Sequence, residues 1–364
     1  MDNNISQVIE YLEQIAPVCY QESYDNSGLL TGHPNTIFRK GLICLDVTMA
    51  VLNEAIETNC NLIISHHPLI FNPLKRITGN SHCEHIIIQA IKNDIVIYAI
   101  HTNLDNILSG VNRRFAENLH LTNIRILSPS DNNLYKLVTY IPEEYVNRVR
   151  NSLFEAGAGH IGNYSHCSYN MDGIGTFKPN EQANPFVGNK NQIHHEKEVR
   201  TEVIFPVHLR QQVIRTLIET HPYEEAAFDV IPLANANPNI GSGMIGELDK
   251  AMDEMEFLQF LKNQMQLACI KYNKINDKPI KSVALCGGSG SFLIGEAIRQ
   301  KADVFISSEF KHNHFIETEG KLLLADIGHY ESEIQTKQLL YDLLIKKFSN
   351  FAASVREQNP VSYL

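Results

Sequence analysis

The feature that most restricts the fold of this chain is a regular alternation of strand-like and helix-like segments towards both of its ends. Within residues 1–127, and again within 235–364, short apolar runs of strand length alternate with segments whose apolar residues have helical spacing. Strands and helices that alternate in this way form mostly parallel sheets covered by helical layers. We therefore predict an α/β fold with mostly parallel sheets for these two segments.

The two segments also resemble each other. Residues 41–68 run strand (GLICLD), helix (VTMAVLNEAIETN), strand (NLIIS) and then HHP. Residues 282–312 run strand (SVALC), glycine turn, helix (FLIGEAIRQK), strand (DVFIS) and then SEFKHN. We interpret this as a weak internal duplication, which places the pair Ser308 and Glu309 opposite the pair His66 and His67.

Between these segments the order changes to β-α-β-β-α-β. It consists of KLVTYIP, a helix over 143–156, a glycine-rich hairpin region, VRTEVIFPV, a helix over 209–219 and AAFDVIPL. This order is ferredoxin-like. The stretch that follows, 234–243 (ANANPNIGSG), is rich in Asn, Pro and Gly, which predicts a linker that returns to the outer domain.

These patterns predict a discontinuous α/β domain. Residues 1–127 and 235–364 should form it together, and the ferredoxin-like α+β domain at 128–234 should be inserted into it. At 364 residues the chain is long enough for both.

Composition and charge argue against several classes of protein. The formal net charge is −10, whereas binding to nucleic-acid phosphates needs a dense face of Lys and Arg. No apolar run approaches the roughly 20 residues of a membrane span, and residues 1–17 have the spacing of an amphipathic helix rather than of a signal peptide. The seven scattered cysteines include no C-x-x-C pair. We expect a cytoplasmic protein that binds neither membranes nor nucleic acid.

The first candidate for chemistry follows the buried strand predicted over 61–65. That strand ends abruptly in His66, His67 and Pro68. Because the proline ends the strand at once, both rings can converge on one region while approaching different ions. HHP alone fits a capping or solvated pair of histidines equally well.

Two further strand ends carry the same kinds of side chain. The strand over 95–100 is followed by His101 and, four residues later, by Asp105. The strand over 322–325 is followed by DIGHYESE, in which a helix starting near Gly328 would place His329 and Glu333 on one face. Taken singly, Asp105 fits a turn or helix cap, and the His-Glu pair fits a helix surface.

The three strand ends together favour a metal site. Ligands in open α/β sheets collect at the carboxyl edge of the strands, where all three segments end. Three imidazoles and two carboxylates suit Zn²⁺, Mn²⁺, Fe²⁺ or Ni²⁺ better than Ca²⁺ or Mg²⁺. Adjacent histidines that approach different ions indicate a cluster of two.

Several segments resemble the motifs of one known family. HHPLIF, HTNLDN, GGSGSFL and DIGHYESE are similar to the signature segments of the Nif-three-like dinuclear-metal family, often labelled GTP cyclohydrolase I type 2. SYDNSGLLTG resembles that family's tryptophan-aspartate-asparagine motif, with Tyr24 in place of the usual Trp. In the middle segment, AGAGHIGNYSHCSY, GTFKP and HPYEEAAFD resemble the PII-like or CutA-like domain inserted in the longer bacterial members.

The resemblance covers essentially the whole chain and carries specific implications. It implies two divalent metal ions per chain, in a cavity of a toroidal homohexamer. The family's ligands correspond to His66, His67, Asp105, His329 and Glu333. The resemblance supplies no substrate, since the cyclohydrolase label is a name and not a mechanism.

Other motifs have two interpretations each. Residues 287–291 (GGSGS) fit a tight strand-to-helix turn or an anion site formed by backbone N–H groups. In the inserted segment, the pair His194 and His195 and the motif at His221 fit surface or structural roles better than metal binding, since no third ligand accompanies them.

The leading functional hypothesis is a metal-dependent hydrolase acting on a small nucleotide-like or phosphorylated substrate. Glu309, or alternatively His101, would transfer the proton or support a ligand. The alternative is a non-enzymatic metal-binding or sensing protein whose inserted domain binds a small ligand.

Overall fold

The computed structural model describes residues 4–274 and 278–364. Its strands are β1 (Gly28–Thr31), β2 (Gly41–Cys44), β3 (Leu62–Ser65), β4 (Val96–Ala99), β5 (Thr122–Ser130), β6 (Leu134–Pro142), β7 (Tyr169–Phe177), β8 (His194–Pro206), β9 (Phe228–Leu233), β10 (Asn237–Met252), β11 (Lys271–Tyr272), β12 (Ile280–Ser289), β13 (Val304–Ser308), β14 (Leu323–Asp326) and β15 (Phe351–Ala353). A mixed α/β protein, as predicted, is confirmed.

The α-helices are α1 (Ile5–Ile15), α2 (Met49–Glu57), α3 (His82–Lys92), α4 (Thr102–Asp105), α5 (Val111–Asn118), α6 (Val146–Glu155), α7 (Arg210–Thr220), α8 (Glu254–Gln264), α9 (Ile294–Arg299), α10 (His312–Glu317), α11 (His329–Glu333) and α12 (Thr336–Leu344). The helix predicted over 1–17 is α1, and residues 1–3 of that prediction lie outside the described residues. No helix in the described part of the chain is long and apolar enough to cross a membrane.

The chain forms two compact units. The first unit combines Met1–Pro129 with Pro238–Leu364, and the second unit is Ser130–Asn237. The bounds predicted for the insertion, 128–234, are close to those of the second unit.

In the first unit, one sheet has the strand order β1-β4-β3-β2-β15. Strands β15, β2, β3 and β4 pair in parallel, and β1 is antiparallel to β4. Every residue of β2, β3 and β4 is buried, as expected for strands covered on both faces. The helix α2 starts after Thr48, whose side chain accepts a hydrogen bond from the backbone N–H of Val51.

The other sheet of this unit has the order β11-β14-β13-β12-β10-β5. Its parallel strands β12, β13 and β14 occupy the same relative positions as β2, β3 and β4, which agrees with the predicted duplication. Antiparallel pairs join β10 to β12 and β11 to β14. This sheet is therefore mixed, whereas the sequence predicted mostly parallel pairing.

The prediction of a linker at 234–243 is wrong for most of these residues, because β10 begins at Asn237 and lies between β12 and β5. The turn-forming composition has another cause here. A Cβ atom at Gly241 would collide with the backbone oxygen of Ser128 in β5, so the glycine serves the close approach of two strands.

The second unit contains one four-stranded sheet, in the order β7-β8-β6-β9, with antiparallel pairs throughout. Its elements run β6, α6, β7, β8, α7 and β9 along the chain. The unit has a hydrophobic core of its own, which includes Leu137 from the sheet, Val149 from α6 and Leu217 from α7.

Candidate metal centre

The structure brings together all five residues predicted as metal ligands. His66 and His67 directly follow β3, and Asp105 is the last residue of α4, which follows β4. The pair from the other sheet comes from α11, which begins at His329 and ends at Glu333, as the four-residue spacing predicts. Local sequence accounts for this placement, because each segment ends a buried strand at the carboxyl edge of its sheet.

Glu333 lies at the centre of the cluster, and its side chain is almost completely buried. Its Oε1 atom is 3.8 Å from the Nε2 atom of His66, which is 3.6 Å from Oδ1 of Asp105. Its Oε2 atom is 3.0 Å from Nε2 of His67 and 3.1 Å from Nε2 of His329. The two carboxylate oxygens therefore face two different groups of side chains.

The cluster fits a metal ion by its unsatisfied polar atoms and by its chemistry. The Nε2 atom of His66 and the Oδ1 atom of Asp105 are buried without a hydrogen-bond partner in the described part of the chain. Such an atom costs about 1–3 kcal/mol when it is left unpaired, and a cation between the two would remove that cost. Imidazole nitrogens with carboxylate oxygens form a donor set that suits Zn²⁺, Mn²⁺, Fe²⁺ and Ni²⁺.

Both histidines that follow β3 are oriented through their Nδ1 atoms. The Nδ1–H of His66 donates to the backbone carbonyl of Ile100, at 2.9 Å, which leaves the Nε2 lone pair for the cluster. The Nδ1 atom of His67 is 2.9 Å from Oδ1 of Asp46. Such partners fix the ring and raise the basicity of a histidine that binds metal.

His329 and His101 are held in the same way by carboxylates. The Nδ1 atom of His329 lies 3.0 Å from Oε1 of Glu309, and that of His101 lies 2.8 Å from Oδ1 of Asp25. Asp25 also accepts hydrogen bonds from the backbone N–H and the hydroxyl of Thr102. A ring nitrogen of His101 lies within 4.8 Å of ring nitrogens of both histidines that follow β3, so this residue also borders the cluster.

Sequence reasoning assigned no role to Asp25 or Asp46. Asp46 follows β2, the neighbour of β3, so it lies at the same sheet edge as the ligands, and this position was a usable signal. Asp25 belongs to the DNSG segment, which was recognised as a motif without a function. Its contact with His101 depends on a turn before β1 that local patterns do not specify.

Electrostatic coupling in the cluster is strong. Burial opposes the charged form of His67, but its hydrogen bonds with Asp46 and Glu333 raise the pKa of His67 to about 10. Burial also opposes the charge on His329, and Glu333 raises the pKa of His329 to about 9. Burial alone would raise the pKa of Glu333, but hydrogen bonds from His329 and His67, together with the nearby positive charge of protonated His66, hold it well below its usual range. Protons would therefore compete with a metal ion for these nitrogens.

The glycine segment 287–291 packs against the cluster. A Cβ atom at Gly288 would collide with Oε1 of Glu333, so this residue leaves room for the carboxylate. Its backbone N–H donates to the hydroxyl of Ser332, and the N–H of Gly287 donates to Oδ1 of Asn112. Since these donors are already used, the segment fits a tight turn better than an anion site.

A cavity of about 810 Å³ opens over the cluster. Its lining includes His67, His101, His329 and Glu333, together with further acidic and aromatic side chains. At its rim, the exposed ring of Tyr24 lies 6.3 Å from the ring of Phe71, centroid to centroid. A small molecule can therefore reach the candidate metal ligands.

The three histidines that the sequence singles out in the second unit have ordinary partners. His194 contacts Glu196 at 2.7 Å, His195 contacts the hydroxyl of Thr176, and His221 contacts the backbone oxygen of Tyr140 at 3.0 Å. Within residues 4–274 and 278–364, the groups with metal-binding spacing contain none of these three histidines. Their arrangement agrees with the structural and surface roles predicted.

The fold and the site define a class of protein: a mixed α/β protein with a cluster of histidines and carboxylates that could bind metal at its strand ends. Within that class, the chain belongs to the Duf34/NIF3 (NGG1p interacting factor 3) family, whose model matches residues 3–360. The resemblance noted in the sequence motifs is thereby confirmed.

Similar proteins cover the chain almost completely. The GTP cyclohydrolase 1 type 2 homolog of Bacillus subtilis (strain 168) is 38% identical over an alignment of 369 positions that covers 99% of each chain. The protein of the same name from Halalkalibacterium halodurans is 38% identical over an alignment of 350 positions that covers 94% of each chain. A solved structure of a Bacillus cereus protein related to NIF3 is 36% identical and superposes with a TM-score of 0.86 over 100% of both chains.

Proposed function

We propose that the cluster binds two divalent metal ions and that the protein is a metal-dependent hydrolase of small molecules. The position of Glu333 carries this proposal. One of its oxygens faces His66, which neighbours Asp105, and the other faces His67 and His329. A carboxylate in this position can bridge two ions, each of which keeps further ligands of its own.

Bound divalent ions act as Lewis acids and lower the pKa of water, which are the functions that hydrolysis needs. The chain's own residues would orient the ligands and move the proton. Glu309 contacts a nitrogen of His329, so it acts as an orienting partner. His101 lines the cavity, and its other nitrogen is held by Asp25, which makes it the better candidate for proton transfer.

The substrate proposed is a small nucleotide-like or phosphorylated molecule. A volume of about 810 Å³ lies in the range of small-molecule sites. The exposed ring of Tyr24 beside Phe71 offers a surface on which a flat ring can stack. The relatives named GTP cyclohydrolase 1 type 2 homolog support the same class of substrate.

A non-enzymatic metal-binding or sensing protein is the second candidate. A site closed by protein ligands would favour it, because structural metal sites leave no open position. Here the cavity opens directly over the candidate ligands, which favours the enzyme.

Metal analysis combined with an activity screen tests the proposal. Purified protein should contain two transition-metal ions per chain, and the loaded protein should hydrolyse a member of a nucleotide and phosphoester panel. Glu333→Ala is the control, since activity that persists in this variant comes from a contaminant. Protein without bound metal would refute the proposal, and two ions without any activity would favour the sensing protein.

We also propose that the second unit is an inserted, ferredoxin-like domain of the PII-like or CutA-like kind. The order of its elements and its separate core support this. If residues 130–237 are replaced by a short linker, the first unit should stay folded and bind metal, because an inserted domain has its own core. An insoluble product with every linker tested would contradict the domain boundary.

The assembly proposed is a toroidal homohexamer, as the motif resemblance implies. Sedimentation of the metal-loaded protein should give the mass of six chains. A monomer at micromolar concentration would contradict it.

A further inference from the structure

A second cavity, of about 680 Å³, lies entirely within the second unit. It is bordered by β7, by the segment that follows β7 and by β8. The metal cluster uses none of its residues. Its volume is that of a small-molecule site.

A buried carboxylate faces this cavity. Glu198 on β8 is only 9% exposed, and its Oε1 atom accepts a hydrogen bond from the hydroxyl of Tyr223 at 2.8 Å. Its Oε2 atom has neither a hydrogen bond nor an ion pair within the described residues. Burial raises the pKa of this carboxyl group. A buried carboxylate without a positive partner is unfavourable, and a cation that reached it would relieve this.

Gly175 on β7 provides the space for this carboxylate. A Cβ atom at this position would collide with Oε2 of Glu198. The residue lies in regular strand pairing opposite Glu196, and its φ angle is not in the left-handed region. The backbone therefore does not require a glycine here, and the glycine leaves the space that the free oxygen of the carboxylate occupies.

The walls of the cavity are aromatic. The ring of Tyr223 lies 5.8 Å from that of Phe177 and 6.2 Å from that of Phe186, centroid to centroid. Phe186 is 48% exposed, so part of its ring is free to contact a bound molecule. Aromatic rings bind flat apolar groups and also attract cations over their faces.

The charges around the cavity disfavour an anion. The acidic residues of the lining, Asp172, Glu198, Glu224 and Glu225, outnumber its basic residues. Of these basic residues, Arg200 is already paired with Glu202, at 2.8 Å.

We propose that this cavity binds a small cation that carries an aromatic ring, such as a protonated arylalkylamine, whose N–H groups donate to Oε2 of Glu198 while its ring packs against Phe177, Phe186 and Tyr223. This site is distinct from the metal cluster and does not depend on the function proposed for it.

Binding of benzylamine to the full-length protein tests the chemistry. Benzyl alcohol and benzoate have the same ring with no charge and with the opposite charge. We expect benzylamine to bind at least about 10-fold more tightly than either, because the charged hydrogen bond contributes that much. Titration calorimetry and ligand-observed NMR would measure the affinities. Benzoate binding as tightly as benzylamine, or no benzylamine binding at millimolar concentration, would overturn the proposal.

Variants locate the site. Glu198→Gln removes the charge but keeps the shape, and Gly175→Ala places a methyl group against the free oxygen. Each should weaken benzylamine binding by about 10-fold or more. Gly173→Ala is the matched comparison on the same strand: it also adds a methyl group to the lining of the cavity, but its Cβ atom would meet only the backbone oxygen of Glu198, at 3.8 Å, and not the free oxygen.

Glu196→Gln is the matched control for the charge, since Glu196 contacts His194 and does not line the cavity. Glu196→Gln should bind benzylamine like the wild type, and Gly173→Ala should weaken binding less than Gly175→Ala does. Benzylamine binding that survives Glu198→Gln and Gly175→Ala would place the amine elsewhere, for example in the acidic cavity over the metal cluster, and would refute the proposal. Tyr223→Phe keeps the ring and should weaken benzylamine binding by a smaller factor than Glu198→Gln.

Discussion

The two sheets of the first unit share the order of three parallel strands, β4-β3-β2 in one and β14-β13-β12 in the other, yet the ends of these strands carry different chemistry. After β3 come His66 and His67, both in the cluster. At the equivalent end of β13 are Ser308 and Glu309, as the duplication predicts. The hydroxyl of Ser308 donates to the backbone oxygen of Gly288, at 2.6 Å.

This difference shows that the two duplicated halves contribute differently to the cluster. One sheet contributes side chains to the cluster from two strand ends, β3 and β4. The other contributes His329 and Glu333 after β14 alone, while Ser308 at the end of β13 supports the glycine segment against which Glu333 packs. Equivalent strand ends therefore have different roles: the end of β3 provides candidate ligands, and the end of β13 supports the segment that packs against Glu333.

The largest effect should come from the side chain that joins the two halves. Glu333→Ala should lower the occupancy of both proposed metal positions, because each of its oxygens faces a different group of candidate ligands. Elemental analysis during metal titration measures the occupancy. If this variant keeps two ions while a histidine variant loses both, the bridging assignment is wrong and Asp105 is the better candidate.

Equivalent positions in the two sheets should respond differently. His66→Ala should empty mainly one metal position and leave the other partly filled. Ser308→Ala should keep both ions and lose about 1 kcal/mol of unfolding free energy, the usual value of a hydrogen bond. Measurements of the metal content and thermal unfolding of the two variants test this prediction. Equal metal loss in both would show that the two strand ends are not specialised as described.

The orienting carboxylates allow a finer comparison. Asp46 holds His67 from one sheet, and Glu309 holds His329 from the other. Asp46→Asn should weaken metal binding about 10-fold to 100-fold. Glu309→Gln should have a smaller effect, because Glu309 is 57% exposed and its histidine is more exposed than His67. Competition with a chelator would measure both affinities. The reverse order would contradict the comparison.

The smallest effect concerns pH in the metal-free protein. Its two raised pKa values, about 10 for His67 and about 9 for His329, exceed the value of about 6.5 for unfolded histidine. Their contribution to stability is therefore complete below about pH 6.5 and is lost as the pH rises through about 9 and 10. NMR titration of the metal-free protein should show His329 losing its proton first.

Metal-loaded protein is the control for this titration. Bound metal requires both rings without their protons, so the loaded protein should lack this loss of stability between about pH 6.5 and 10. If the metal-free and loaded proteins respond to pH alike, the proton and the metal do not share these nitrogens.

The sequence by itself determined which residues form the cluster. The buried runs before His66 and Asp105 predict strands that end at one sheet edge, and the spacing of His329 and Glu333 predicts one helical face. These signals are local, since the pattern of a few neighbouring residues sets where a strand ends and which side chains share a face. The mixed α/β class follows from the same local patterns.

Only the tertiary structure decided how these side chains pair. Distances between segments far apart in sequence decide which oxygen of Glu333 faces His66. They also decide that Asp25 and Asp46 orient histidines. The predicted linker became β10 because Gly241 allows a close approach to β5, and the free oxygen of Glu198 depends on space left by Gly175 on a neighbouring strand. Such contacts arise from strand register and packing. Distant parts of the chain determine these together, so no short segment encodes them.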